Sequence, residues 1–132
     1  MDVLLDTSAL IWFLEDSPRM PAAMKDLIEH PETRCRVSLV SAWEIAIKTS
    51  IGKLKVAYTV EPGLRLLADR NGFATLPIAW EELGLVARLP LHHGDPFDRL
   101  LACQSLRHGL TILSPDTAFD AYGVRRLWHR GP

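Results

Sequence analysis

Short apolar runs alternate along this chain with helix-spaced segments, and that alternation constrains the fold more than any other feature. Val3-Leu4-Leu5 is continuous, too short for a buried helix, and is closed by Asp6-Thr7-Ser8, a group of residues that suits a helix start. Comparable runs at 35–39, 73–78 and 110–113 read as further strands, and 124–128 as an edge strand. Helical spacing predicts helices over 9–14, 21–30, 40–51, 62–70, 80–88 and 95–107, with a short one over 116–122. Pro21 and Pro96 suit first turns, and Gly52 a left-handed C-terminal cap. Strands that alternate with helices imply an α/β fold in three layers, a central, mostly parallel sheet of four to five strands flanked by helices. The 132 residues fit one domain, 1–132, with no internal repeat or linker.

Lys and Arg total 15 against 16 Asp and Glu, a net charge of −1, so this is not a chain that coats nucleic acid by bulk charge. Any such contact is local. Cys35 and Cys103 lie in apolar stretches without metal-ligand spacing and read as small buried hydrophobes in a reducing compartment. The N-terminus lacks the basic and apolar regions of a signal peptide, and no run approaches the roughly 20 apolar residues that span a bilayer. A cytoplasmic protein is expected. The tryptophans Trp12, Trp43, Trp80 and Trp128 are read mostly as packing residues.

Several carboxylates sit at the edges of apolar segments. In an open parallel sheet the active crevice lies beyond the carboxyl ends of the strands. Asp6 ends the first strand, Asp116 follows the fourth after Ser114-Pro115, and Asp98 opens the helix that leads into the fourth. Each also has a capping explanation: Asp95 as N-cap with Pro96 in the first turn and Asp98 near the positive helix end, and Asp6 or Asp116 before its own helix. Glu44 is harder to explain that way. It shares an arc with Val40, Ile47 and Ile51 and therefore faces inward, unless Ser41 is the N-cap and Glu44 closes a capping box with it; Ser38 is an equally good cap. Converging carboxylates repel one another, and oxygen ligands without thiolates select a hard divalent cation, Mg²⁺ or Mn²⁺, suited to phosphodiester hydrolysis.

The segments Leu4-Leu5-Asp6-Thr7-Ser8-Ala9-Leu10, Ser41-Ala42-Trp43-Glu44-Ile45-Ala46-Ile47-Lys48, His93-Gly94-Asp95-Pro96-Phe97-Asp98-Arg99-Leu100-Leu101-Ala102-Cys103-Gln104 and Leu113-Ser114-Pro115-Asp116 closely resemble the PIN-domain ribonucleases, in particular the VapC toxins of toxin–antitoxin pairs. The likeness runs through nearly the whole chain in the same order. It implies a metal-dependent endoribonuclease whose catalytic and metal-binding acids are Asp6, Glu44, Asp98 and Asp116. Asp95 is a further ligand, a supporting group or only a cap. Thr7 is the small hydroxyl residue after the first aspartate, and Ser8 a candidate to orient the Asp6 carboxylate. The family's fourth motif often reads Thr-x-Asp, against Ser114-Pro115-Asp116 here.

The resemblance further implies a homodimer, a VapB-type antitoxin as partner, and a tRNA or rRNA substrate. Arg125, Arg126, His129 and Arg130 form a basic tail with the charge to hold phosphates, and His92 and His93 stand beside the Asp95 loop. Two alternatives remain. An inactive PIN-like interaction module conflicts with the intact acids. A haloacid dehalogenase-type phosphatase usually needs an aspartate where Ser8 stands.

Overall fold

The computed structural model describes residues 1–92 and 94–129. Its centre is a five-stranded sheet in the order β3-β2-β1-β4-β5, with every neighbouring pair parallel. The strands are β1 (Asp2–Leu5), β2 (Arg34–Ser38), β3 (Ala74–Leu76), β4 (Thr111–Leu113) and β5 (Arg126–Leu127). The helices are α1 (Thr7–Leu14), α2 (Ala22–Glu29), α3 (Leu39–Ser50), α4 (Arg65–Arg70), α5 (Trp80–Arg88) and α6 (Pro96–His108), with a 3-10 turn over Thr117–Tyr122.

Helices cover both faces of the sheet, which is why β1 reads as an unbroken apolar run. Val3 and Leu5 of β1 point into one core with Val37, Leu113, Leu10, Met24 and Ile45. Leu4 points the other way, into a second core with Ile112, Leu101 and Phe119. All three β1 side chains are fully buried. The expected mostly parallel sheet is thus wholly parallel, and the edge strand is present as the short β5.

Two boundaries differ from the sequence expectation for local reasons. The helix expected over 62–70 becomes regular only at Arg65; Val60–Leu64 forms a wide helical turn in which Glu61 is extended (φ −121°, ψ 119°). Glu61 lies before the expected start at Pro62, and Leu64 already has helical backbone (φ −60°, ψ −42°), so the wide turn leads directly into α4. The third strand stops at Leu76, because Pro77 has no N–H to extend the ladder. Cys35 and Cys103 are free and buried, as expected, and burial pushes both thiols up to about 11. The tryptophans depart from expectation: Trp12 and Trp128 pack on each other against the core, but Trp43 is 51% and Trp80 86% exposed. No helix among the described residues is long and apolar enough to cross a membrane.

Ser38 settles how α3 begins. Its hydroxyl accepts from the Val40 amide at 3.0 Å and donates to Gln104 Oε1 at 2.5 Å, so it both caps α3 and ties it to α6. Ser38 is fully buried. Ser38→Ala removes a cap and strands a buried amide oxygen, and is expected to destabilise the protein by about 2 kcal/mol in urea titration. A loss no larger than that of a surface serine would show that the Gln104 contact contributes nothing.

Candidate active site

The chain leaves β1 towards β2 and β3, then returns to place β4 on the other side of β1. This reversal creates a crevice between the ends of β1 and β4, the general position of binding sites in open parallel sheets. Leu5 is in register with Leu113, so the residues that follow each strand emerge side by side. The Asp6 amide donates to the Leu113 carbonyl at 3.2 Å.

Asp6 caps α1, with Oδ1 accepting from the Ala9 amide at 2.8 Å. Asp116 caps the Thr117–Tyr122 turn through Oδ1 and the Ala118 amide at 2.9 Å. Asp95 caps α6 through Oδ1 and the amides of Phe97 and Asp98, at 2.8 and 3.1 Å. Capping and site roles are therefore compatible: in each of the three the cap uses Oδ1 and fixes the direction of the carboxyl group.

Glu44 has a different basis. With Ser38 as N-cap it lies in the second turn of α3, beyond the reach of a capping box, and it is 5% exposed. Thr7 Oγ1 donates to Glu44 Oε1 at 2.6 Å and lies 3.0 Å from the Ser41 hydroxyl. Lys48, one turn further along α3, pairs with Glu44 Oε2. Lys48 also lies in the field of Asp95 and Asp98, so the open side of Glu44 faces the start of α6.

The Asp6 carboxyl is pushed up to about 6, mainly by burial; the Ser114 hydroxyl and the Ala9 amide oppose the rise, while the charges of Glu44 and Asp116 add to it. That list of influences places Asp6, Glu44 and Asp116 in one field. Lys48 is raised above the ordinary lysine range, first by its hydrogen bond to Glu44. Asp98 is half-buried in the first turn of α6. The structure thus gathers Asp6, Glu44 and Asp116 around the β1 and β4 ends and sets Asp95 and Asp98 across from Lys48.

Other sequence candidates fall elsewhere. Ser8 is exposed, and the hydroxyl that acts on Asp6 comes from Ser114. Arg126 pairs with Asp120 at 2.9 Å and donates to the Ser114 carbonyl at 3.1 Å, so it braces the loop that carries Asp116. Arg125 donates to the Gly109 carbonyl at 2.9 Å. These contacts give both arginines structural partners. His129 is exposed, and the His92 ring packs 5.3 Å from that of Tyr122. His93 and Arg130 lie outside the described residues. Lys48 and Ser114 had no assigned site role in the sequence; the one signal for Lys48 is its i+4 spacing from Glu44.

The donor set suits a hard cation: oxygen only, clustered negative charge, and a buried carboxyl pushed up to about 6, mainly by burial. Among the described residues no three acidic, imidazole or thiol groups close on one point as they stand. The caps on Asp6, Asp95 and Asp116 accept through Oδ1, and the Lys48 ammonium stands on Glu44 Oε2.

Comparison with known proteins gives a consistent picture. Ribonuclease VapC22 of Mycobacterium tuberculosis is 28% identical over 116 residues, 86% of each chain. The fold matches a chain of VapBC2 from Rickettsia felis, solved bound to a promoter DNA fragment, with a TM-score of 0.70 at 13% identity, covering 96% of this chain and 98% of that one. It also matches VapBC-1 from nontypeable Haemophilus influenzae, with a TM-score of 0.63 at 16% identity and coverage of 96% and 97%. The PIN domain family model matches residues 3–124, nearly the whole parallel sheet with its acidic crevice, and the chain belongs to the PIN domain family.

Proposed function

We propose that this chain, as one domain over 1–132, is a VapC-type endoribonuclease toxin that hydrolyses RNA phosphodiester bonds with Mg²⁺ or Mn²⁺. The observation that carries the reading is the Asp6 carboxyl, buried at the β1–β4 reversal beside Glu44 and Asp116 and pushed up to about 6. Burying and clustering carboxylates is costly and has a purpose when a cation is to be bound there.

Asp6, Glu44, Asp98 and Asp116 would hold the ion, with Asp95 either joining them or serving only to start α6. When bound, a divalent ion lowers the pKa of an attacking water and stabilises charge on the phosphate and the leaving oxygen. The chain's own groups do the positioning. The Ala9 amide and the Ser114 hydroxyl fix Asp6, and Thr7 fixes Glu44. The N-terminal ends of α1 and α6 favour phosphate at the rim. Glu44 and Asp116, in one field with Asp6, would orient and activate the attacking water. Phosphates are met locally, in keeping with the net charge of −1.

VapBC-5 of Mycobacterium tuberculosis is by name a member of the VapBC family of toxin–antitoxin systems, and a cognate VapB-type antitoxin, a homodimeric toxin, a cytoplasmic location and a tRNA or rRNA target follow by analogy. The test is cleavage of structured RNA by the purified chain in Mg²⁺, in Mn²⁺ and in EDTA, together with Asp98→Asn. Cleavage should require a divalent ion and fall more than ~100-fold in the variant, whose melting curve stays cooperative. Undiminished cleavage in EDTA would sink the metal mechanism.

A further inference from the structure

Both oxygens of Glu44 are engaged: Thr7 holds Oε1 and Lys48 holds Oε2. The neutral Thr7 hydroxyl leaves Oε1 lone pairs for an ion, but the Lys48 ammonium repels a divalent ion from Oε2, so an ion that takes Oε2 must displace Lys48, and the two partners differ in how readily they yield. Thr7 is buried, follows directly from β1 and is further fixed beside Ser41. Lys48 is a point charge at the end of a flexible four-carbon stem, and its side chain is 39% exposed. It can move without disturbing a helix or the sheet.

Position gives Lys48 somewhere to act afterwards. Its ammonium lies between α3 and the start of α6, where it feels Asp95 and Asp98 as well as Glu44. These three acids come from two different helices, so one lysine spans the open side of the crevice. A divalent ion at Glu44 repels the ammonium from that oxygen, while Asp95 and Asp98 keep it by the start of α6, at the rim that the substrate phosphate approaches.

We propose that Lys48 is the resident counter-ion of the metal-free site, holding Glu44 until a divalent ion displaces it, and that the displaced ammonium then binds the RNA phosphate. The inference rests on the metal-dependent reading of the site. It makes Lys48 a determinant of metal affinity and substrate binding together, with opposite signs.

The experiment compares wild type, Lys48→Met and Lys48→Arg in the full chain. Mn²⁺ affinity is read from the free-Mn²⁺ electron spin resonance signal, and KM and kcat for RNA cleavage are read at saturating Mn²⁺. Lys48→Met keeps the apolar stem and removes the charge, so Mn²⁺ should bind roughly 5- to 20-fold more tightly while KM for RNA rises about tenfold. Lys48→Arg keeps a cation that pairs with carboxylate, and should bind Mn²⁺ no more tightly than wild type. Unchanged or weaker Mn²⁺ binding by Lys48→Met overturns the counter-ion role, and an unchanged KM overturns the phosphate role. A wild-type chain that neither binds Mn²⁺ nor needs it for cleavage defeats the underlying metal reading instead, a result distinct from either.

Discussion

Asp6→Asn is expected to yield a protein that no longer cuts RNA yet is more stable than wild type at pH 8. Burial raises the Asp6 carboxyl from 3.8 to about 6, which means the folded chain holds its proton more tightly than the unfolded chain does. For an acid shifted this way, stability is highest below pH 4, falls as pH rises to 6, and stays reduced above that. A shift of about two units corresponds to about 3 kcal/mol of destabilisation at neutral and alkaline pH. Asparagine is nearly isosteric, can still accept from the Ala9 amide, and carries no charge. In EDTA at pH 8 it should raise Tm by roughly 5–10 °C, and the gain should vanish at pH 4, where wild-type Asp6 is protonated. Mn²⁺ should then stabilise wild type and leave the variant unmoved, because a ligand that binds only the folded state raises its stability. RNA cleavage should drop more than ~100-fold. A variant less stable than wild type at both pH values would show that the ionised carboxyl is not a burden on the fold. The exchange of stability for activity is the usual pattern for groups kept for function.

Glu82→Ala is expected to have the largest effect on stability, although Glu82 lies outside the acidic crevice. Its carboxylate is fully buried and accepts from Gln104 Nε2 at 3.0 Å, Arg107 Nη1 at 2.9 Å and the Ala79 amide at 3.0 Å. Gln104 in turn accepts from Ser38 and also donates to the Pro77 carbonyl at 3.2 Å. The chain of contacts joins α5, α6 and the cap of α3, which carry between them Asp98 and Glu44. Truncation leaves buried donors unmatched and should cost about 3–5 kcal/mol, measured by denaturant titration at pH 7. Glu82→Gln keeps an acceptor for Gln104 but turns a donor group towards the Ala79 amide and Arg107, so a smaller loss of about 2 kcal/mol is expected. Equal losses for the two variants would mean that charge, and not buried hydrogen bonding, holds this network together.

The sheet and its flanking helices were legible in the sequence because a strand covered on both faces must be apolar throughout, and because helix starts carry their own chemistry. α5 lies where its periodicity put it, and α6 begins with Asp95 and Pro96 as N-cap and first residue. Where β3 ended early, proline was the cause, since Pro77 has no N–H to extend the ladder. The surface positions of Trp43 and Trp80 were not legible, because an aromatic ring has the same composition signal whether it packs inward or covers the exterior.

The acids themselves divide along the same line. Sequence determined that Asp6, Asp95 and Asp116 stand at helix starts and that Glu44 shares an arc with Val40, Ile47 and Ile51, since both are matters of local spacing. It left open whether Ser38 or Ser41 caps α3, and only Ser38's contacts with Val40 and Gln104 decided that Glu44 is no capping group. It gave no sign that Ser114, not Ser8, would supply the hydroxyl to Asp6, or that Lys48 would sit among the acids of two helices. The first depends on β4 docking beside β1 in register, which brings residues about 110 positions apart into one field, and the second on α3 packing against α6. Local chemistry selects elements, whereas electrostatic and hydrogen-bond partners across a sheet reversal are set by which strands become neighbours, and only the packed tertiary structure contains that information.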